Sequence, residues 1–327
     1  MRPMTSLLDR RRLLALGAAC LAAPAVARGA APVSLLKGAA FGTGWRITLP
    51  AGVPTQDLRR HVETLIADLD LAFSPWRADS VLSRFNAGGA LDMSVGADLA
   101  KVTQAALAIA AKSNGCFDPT VGPLVARWGF GPITQGAARP GGWRGLAADD
   151  RHLERVDTAL TLDLCGIAKG YALDRLAALL MDIGHDDLLI DLGGELAARG
   201  RHPSGRVWQV GIEDPRPEVE GLAGRIGLDG VSVATSGIRA NGYDIGDRRY
   251  SHIIDPMTQE PVEVALCSVS VVGSSAQDAD AWATALMAAG DKGPALARDR
   301  GVTALFLFRE GAGLRHVATG GIAVDPV

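Results

Sequence analysis

The sequence predicts an α+β fold in which mixed and antiparallel sheets carry packed helices. Strand-like runs dominate from about residue 207 onward, with one helical stretch among them. The long helical periodicities are few and do not alternate with strands in a regular βαβ winding. No fixed-period repeat or low-complexity tract appears, which excludes solenoids and disordered scaffolds. At 48% hydrophobic and 21% charged, 327 residues suffice for one large domain or two closely packed lobes.

In chain order, residues 38–49 read as a Gly-rich turn feeding a strand from Gly44 to Leu49. Thr55 is suited to cap a helix whose Leu58, Val62, Leu65, Ile66, Leu69 and Phe73 recur at helical spacing, and Pro75 ends it. A second helix, about 97–113, aligns Leu99, Val102, Ala106 and Ile109, with Asn114-Gly115 as the stop. The stretch 130–157 is rich in Gly, Pro and Arg and reads as a surface excursion. A compact unit follows: strand 159–164, a turn, helix 167–183, Gly184, strand 187–192 and Gly193-Gly194. Strands at 207–212, 225–234, 250–254 and 263–272 surround a helix at about 276–289, and 303–308 with 314–318 form a closing hairpin.

The first 31 residues stand apart. Arg10, Arg11 and Arg12 precede an apolar run from Leu13 to Ala27, and Ala25-Val26-Ala27 suits cleavage, so an export signal is expected. The run is shorter than the roughly 20 residues of a membrane span. Asp9 to Leu14 also resembles a twin-arginine signal, with a plain Sec signal as the alternative. Gly17-Ala18-Ala19-Cys20 raises a lipid anchor, but Gly17 stands where lipoprotein signals usually carry Leu. Soluble export to the periplasm is therefore expected, leaving residues 32–327 as a single domain. Loss of the segment removes five arginines and one aspartate and moves the formal charge from −3 to −7. Such an acidic chain is a poor nucleic-acid binder. Cys116, Cys165 and Cys267 are odd in number and widely spaced, which suits buried small apolar residues better than a disulfide framework.

Four motifs carry chemistry. Asp280 and Thr284 are four apart on a helix, so a carboxylate and a hydroxyl share a face, the hard oxygen donors that Mg²⁺ prefers. An acidic first turn with Thr284 in solvent accounts for the same pair. Thr161 to Gly170 is a strand–turn–helix passage in which helix-start amides and Lys169 can face a phosphate, without P-loop spacing. Gly115 to Pro123 sets Phe117 beside Asp118 in a rigid loop, where the ring either meets a flat heterocycle or packs beneath its own turn. Tyr250 to Pro256 places His252 near Asp255 at a strand end, suited to proton transfer or phosphate contact, or to an ordinary structural histidine.

Taken in order, eight segments resemble the ApbE family of FAD:protein FMN transferases. They are Gly42-Thr43-Gly44, SPWRADSVLSRFN from Ser74, the FDPTVGP loop, DLCGIAKGYALD, DLGGE, TSG at Thr235 to Gly237, SHIIDPMT and DADAWATALMAAG. The resemblance spans about Gly42 to Gly290 and implies the family's α+β fold with two intimately associated lobes. It implies Mg²⁺ on Asp280, Thr284 and the carbonyl of Gly166. It also implies FAD contacts from Phe41, Trp76, Cys116, Phe117, Asp118, Asp163, Lys169, His252 and Ile254, with Ser236 near the diphosphate. Phe41 and Trp76 stand where Met and Tyr are common, and Cys165-Gly166 replaces a Gly-Ala or Ser-Ala pair. The implied reaction moves FMN from FAD to a Thr or Ser hydroxyl of an exported or membrane-bound flavoprotein of respiratory electron transfer, releasing AMP. In it, Lys169 holds phosphates or organises Asp163, and His252 takes the proton or steadies the phosphoryl group. An FAD pyrophosphatase and a non-catalytic flavin carrier are the alternatives.

Overall fold

A computed structural model describes residues 32–239, 241–246, 248–262 and 265–326. The expected export signal, residues 1–31, lies outside the described residues. From Pro32 onward the chain forms one compact unit.

Its centre is an eight-stranded sheet in the order Val33–Ala40, Thr43–Pro50, Leu188–Leu192, Glu195–Arg199, Ser232–Gly237, Leu266–Gly273, Thr303–Glu310, Gly313–Thr319. Every neighbouring pair is antiparallel. Side chains alternate between the two faces of a strand, and here both faces are covered. Ala304, Phe306 and Phe308 join the larger apolar cluster, while Leu305 and Leu307 join a second one. The hairpin Trp208–Glu213/Leu222–Leu228 covers that second face with Trp208, Val210, Ile212, Ile226 and Leu228. The two expected lobes are thus two layers on one shared sheet.

The larger cluster lies under the helices: α1 (Thr55–Phe73), α2 (Val81–Ala87), α3 (Ala97–Lys112), α4 (Gly122–Arg127), α5 (Ala168–Asp182), α6 (Ala276–Ala288) and α7 (Gly293–Arg300). In α1 the buried residues are Leu58, Val62, Ile66, Leu69 and Phe73, most of the stripe read from the sequence. Each such side chain contributes roughly 1.5–3 kcal/mol by leaving water. Helix α6 packs against α5 and two central strands and is buried almost all round. Its run of alanines allows that close approach.

Several expectations change. Thr55 begins α1 rather than capping it; the cap position is Pro54, with no side-chain bond. Residues 225–234 are two strands, broken by a turn at Asp229-Gly230. The 130–157 stretch is partly built structure: Leu146–Ala148 and His152–Arg155 pair with each other, and the latter with Asp92–Ser94. Residues 159–164 form no strand, although Leu160, Leu162 and Leu164 are fully buried. A side chain replaces the missing ladder. Asn86 Nδ2 donates to the Leu162 carbonyl at 2.8 Å, and its Oδ1 accepts from the Leu162 amide at 2.7 Å. The Arg155 guanidinium, also buried, donates to the carbonyls of Gly88, Ala90 and Leu160.

Candidate active site

The register brings several motifs to one end of the sheet. Trp45 pairs with Leu192, Leu192 with Glu195, Leu196 with Val233, and Gly237 with Ser268. The turns at Phe41-Gly42 and Gly193-Gly194 therefore lie at the same end as Ser236 and Gly237. Gly193 and Gly194 both take positive φ, which a side chain would resist. The Gly193 amide donates to the Gly44 carbonyl at 3.0 Å, tying the two turns together. Thr235 to Gly237 are the last residues of a strand and not a turn.

Helices α5 and α6 meet above this end. Gly170 makes the meeting possible, since an added Cβ would lie 2.3 Å from the Ala276 carbonyl oxygen and 2.8 Å from Asp280 Cβ. Asp174 on α5 fixes the start of α6 by accepting from the amides of Ala276 and Gln277 and the hydroxyl of Ser275 at 2.9–3.0 Å. Asp280 is buried and points inward, unlike a solvated first-turn acid. Its Oδ2 accepts from the Gly170 amide at 3.0 Å, and among the described residues nothing donates to Oδ1. The Ala168 amide bonds to the Leu164 carbonyl, so two first-turn amides of α5 serve the protein rather than standing open to a phosphate.

One turn along α6, Thr284 Oγ1 lies 3.3 Å from Ser236 Oγ. A Cβ on Gly166 would come within 2.9 Å of that Thr284 oxygen and 3.2 Å of Phe117 Cε2. Asp280, Thr284, Gly166, Ser236 and Phe117 therefore converge.

Lys169 joins them through an unexpected partner. Its Nζ lies 2.6 Å from Glu195 Oε1, and no hydrogen bond or ion pair joins it to Asp163. The Glu195 side chain is 4% exposed against 32% for Lys169, and Glu195 Oε2 is buried without a partner among the described residues. Burial pushes the Glu195 carboxyl up to about 7 against the pull of Lys169. Burial also presses Lys169 down, but Glu195 and Asp280 outweigh it and hold the ammonium above its ordinary value. Burial raises Asp280 as well, against the pull of Lys169 and the Gly170 amide.

The remaining residues frame this cluster. Asp163 Oδ1 accepts from the Cys165 amide at 2.9 Å, and burial raises its carboxyl. Cys165 is solvent-exposed, and desolvation followed by the Asp163 charge pushes its thiol well up. Asp118 Oδ1 is taken by the amide and hydroxyl of Thr120, so this carboxylate braces its own loop. Cys116 is half-buried, and Ile254 is buried in a two-residue strand. His252 Nδ1 lies 3.0 Å from the Asn241 carbonyl. Burial lowers its pKa, the Asn241 bond partly opposes this, and Lys169 lowers it further. Phe130 packs edge-on to its ring, 6.3 Å between centroids.

Phe41 and Trp76 line a cleft of about 590 Å³ with Trp45, Ile66 and Arg77. Phe41 sits at φ 52, uncommon for a bulky residue, and Trp76 is 69% exposed. The exposed ring offers a face to a flat heterocycle. Glu195, Gly170 and Asp174 had no role in the sequence reading, although DLGGE and DLCGIAKGYALD contain them.

The sequence model of the ApbE family matches residues 41–306. The FAD:protein FMN transferase of Klebsiella pneumoniae (strain 342) is 33% identical over 316 residues, covering 90% of each chain. That of Escherichia coli (strain K12) is 33% identical over 302 residues, covering 86% of each. The solved apo form of the Pseudomonas stutzeri flavinyl transferase ApbE is 34% identical, with a TM-score of 0.78 over 88% of this chain and 95% of that one.

Proposed function

The chain belongs to the ApbE family, and on that premise we infer that it transfers the FMN moiety of FAD to a Thr or Ser hydroxyl of another protein, releasing AMP. The observation that carries this reading is the convergence of Asp280, Thr284 and Gly166 beside the Lys169–Glu195 pair.

The residues fit Mg²⁺. Among the described residues no group of three His, Cys, Asp or Glu side chains is placed to hold a metal ion, so a metal here would not be held by such a cluster. Asp280, the Thr284 hydroxyl and the Gly166 carbonyl are hard oxygen donors instead. Two buried carboxylates, Asp280 and Glu195, share a single ammonium, and a hard cation would offset that surplus. When bound, Mg²⁺ would neutralise charge on the diphosphate and on departing AMP.

The protein's own groups account for the rest. The acceptor oxygen bonds to the FMN-side phosphorus, the bond from that phosphorus to the bridging oxygen breaks, and AMP leaves with the electron pair. Such transfer depends mainly on positioning and charge neutralisation. Lys169 supplies a fixed positive charge for the phosphates. The Asn241 carbonyl can only accept, so the imidazole proton of His252 sits on Nδ1 and Nε2 is bare. With its pKa held down by burial, His252 is neutral near pH 7 and Nε2 can take the hydroxyl proton. Phe41 and Trp76 would flank the flavin ring of FAD. An export signal in residues 1–31, as expected from the sequence, would put the reaction outside the cytoplasm, with an exported or membrane-bound flavoprotein as acceptor.

Mass spectrometry of an acceptor flavoprotein domain incubated with the mature chain and FAD, with and without Mg²⁺, tests the proposal. A Mg²⁺-dependent gain of one FMN residue with AMP release is expected. Free FMN and AMP beside an unmodified acceptor would reassign the chemistry to water as nucleophile.

A further inference from the structure

We propose that Glu195 is a positioning residue that holds the Lys169 ammonium toward the diphosphate of the substrate and away from Asp280. This rests on the transferase reading above. Glu195 follows the Gly193-Gly194 turn, which is tied by hydrogen bond to Gly44, so its backbone is fixed. Its side chain is 4% exposed and bonds Lys169 at 2.6 Å. Lys169 stands in the first turn of α5, next to Gly170, whose amide holds Asp280. The ammonium thus lies within the field of two carboxylates yet bonds to one of them.

That choice has a chemical consequence. An ammonium on Asp280 would occupy the carboxylate assigned to the cation and would turn its charge from the phosphates. Held by Glu195, Lys169 keeps two of its three N–H donors for a ligand and remains partly open to solvent. The arrangement also accounts for a buried carboxylate with one unpartnered oxygen, a group that stability alone does not favour. Removing the Glu195 charge leaves Asp280 as the carboxylate to which Lys169 turns.

The test is the affinity of the mature chain for FAD and for riboflavin, which lacks the diphosphate, in wild type, Glu195→Gln, Lys169→Met and the double variant. Glu195→Gln should weaken FAD binding on the order of ten- to a hundredfold, the scale of a charge-assisted hydrogen bond, and leave riboflavin binding unchanged. The double variant should bind FAD no more weakly than Lys169→Met, because Glu195 acts through Lys169. FAD affinity within twofold of wild type in Glu195→Gln overturns the proposal. So do equal losses for FAD and riboflavin, which mark general damage, and additive losses in the double variant. A wild-type chain that binds no FAD refutes the transferase reading itself, an outcome distinct from all of these.

Discussion

Gly170→Ala sets two effects of opposite sign against each other. Helix propensity favours Ala over Gly by about 1 kcal/mol, and Gly170 lies inside α5. The new methyl, however, would lie 2.3 Å from the Ala276 oxygen, 2.7 Å from the Ala276 carbonyl carbon and 2.8 Å from Asp280 Cβ. Two of these are backbone atoms, so no side chain can rotate away, and α5 and α6 must part by about 1 Å to restore van der Waals contact. Overpacking of this kind costs about 1–3 kcal/mol. The same shift stretches the Gly170–Asp280 bond and the Asp174 bonds at the start of α6. Those are charge-assisted and contribute about 1.5–3 kcal/mol each. The clash wins, and a net loss of about 2–4 kcal/mol is expected. Urea and thermal unfolding of residues 32–327 should show it, the melting temperature falling by roughly 3–6 °C. Transfer activity should fall further than stability predicts, because Asp280 moves. A melting temperature unchanged or raised, with full activity, would refute the close-approach reasoning.

Asn86→Ala should destabilise the chain by roughly 2–5 kcal/mol in urea denaturation, since it leaves the buried amide and carbonyl of Leu162 unpaired; a loss under about 1 kcal/mol would contradict that account. Asp280→Ala should abolish Mg²⁺-dependent transfer while circular dichroism stays native, and full activity at low Mg²⁺ would sink the ligand assignment. Chelation of the wild type should stop transfer and added Mg²⁺ restore it. His252→Ala should leave FAD affinity nearly unchanged while kcat drops about a hundred- to ten-thousandfold; lost affinity with kcat preserved would make it a binding residue. Trp76→Ala should raise the Kd for FAD and for riboflavin together, and an effect on neither would remove the ring from the flavin site.

The elements legible in the sequence were those whose signal is local. The stripe in α1, the stop after α3 and the closing hairpin each follow from periodicity or turn chemistry within a few residues. Strand 159–164 was misread because a buried apolar run looks alike whether a neighbouring strand or the Asn86 side chain satisfies its backbone.

For the site, the order of the motifs was enough to indicate the family, and spacing alone sets Asp280 and Thr284 on one helix face, since residues four apart share a face whatever surrounds them. Tertiary structure alone decided that Asp280 faces inward onto the Gly170 amide, 110 residues away in sequence, and that Lys169 bonds to Glu195 rather than Asp163. Those contacts depend on how closely two helices approach and on which strands the register places side by side. Neither quantity is local to any stretch of sequence, so composition, spacing and periodicity could name the groups but not their partners.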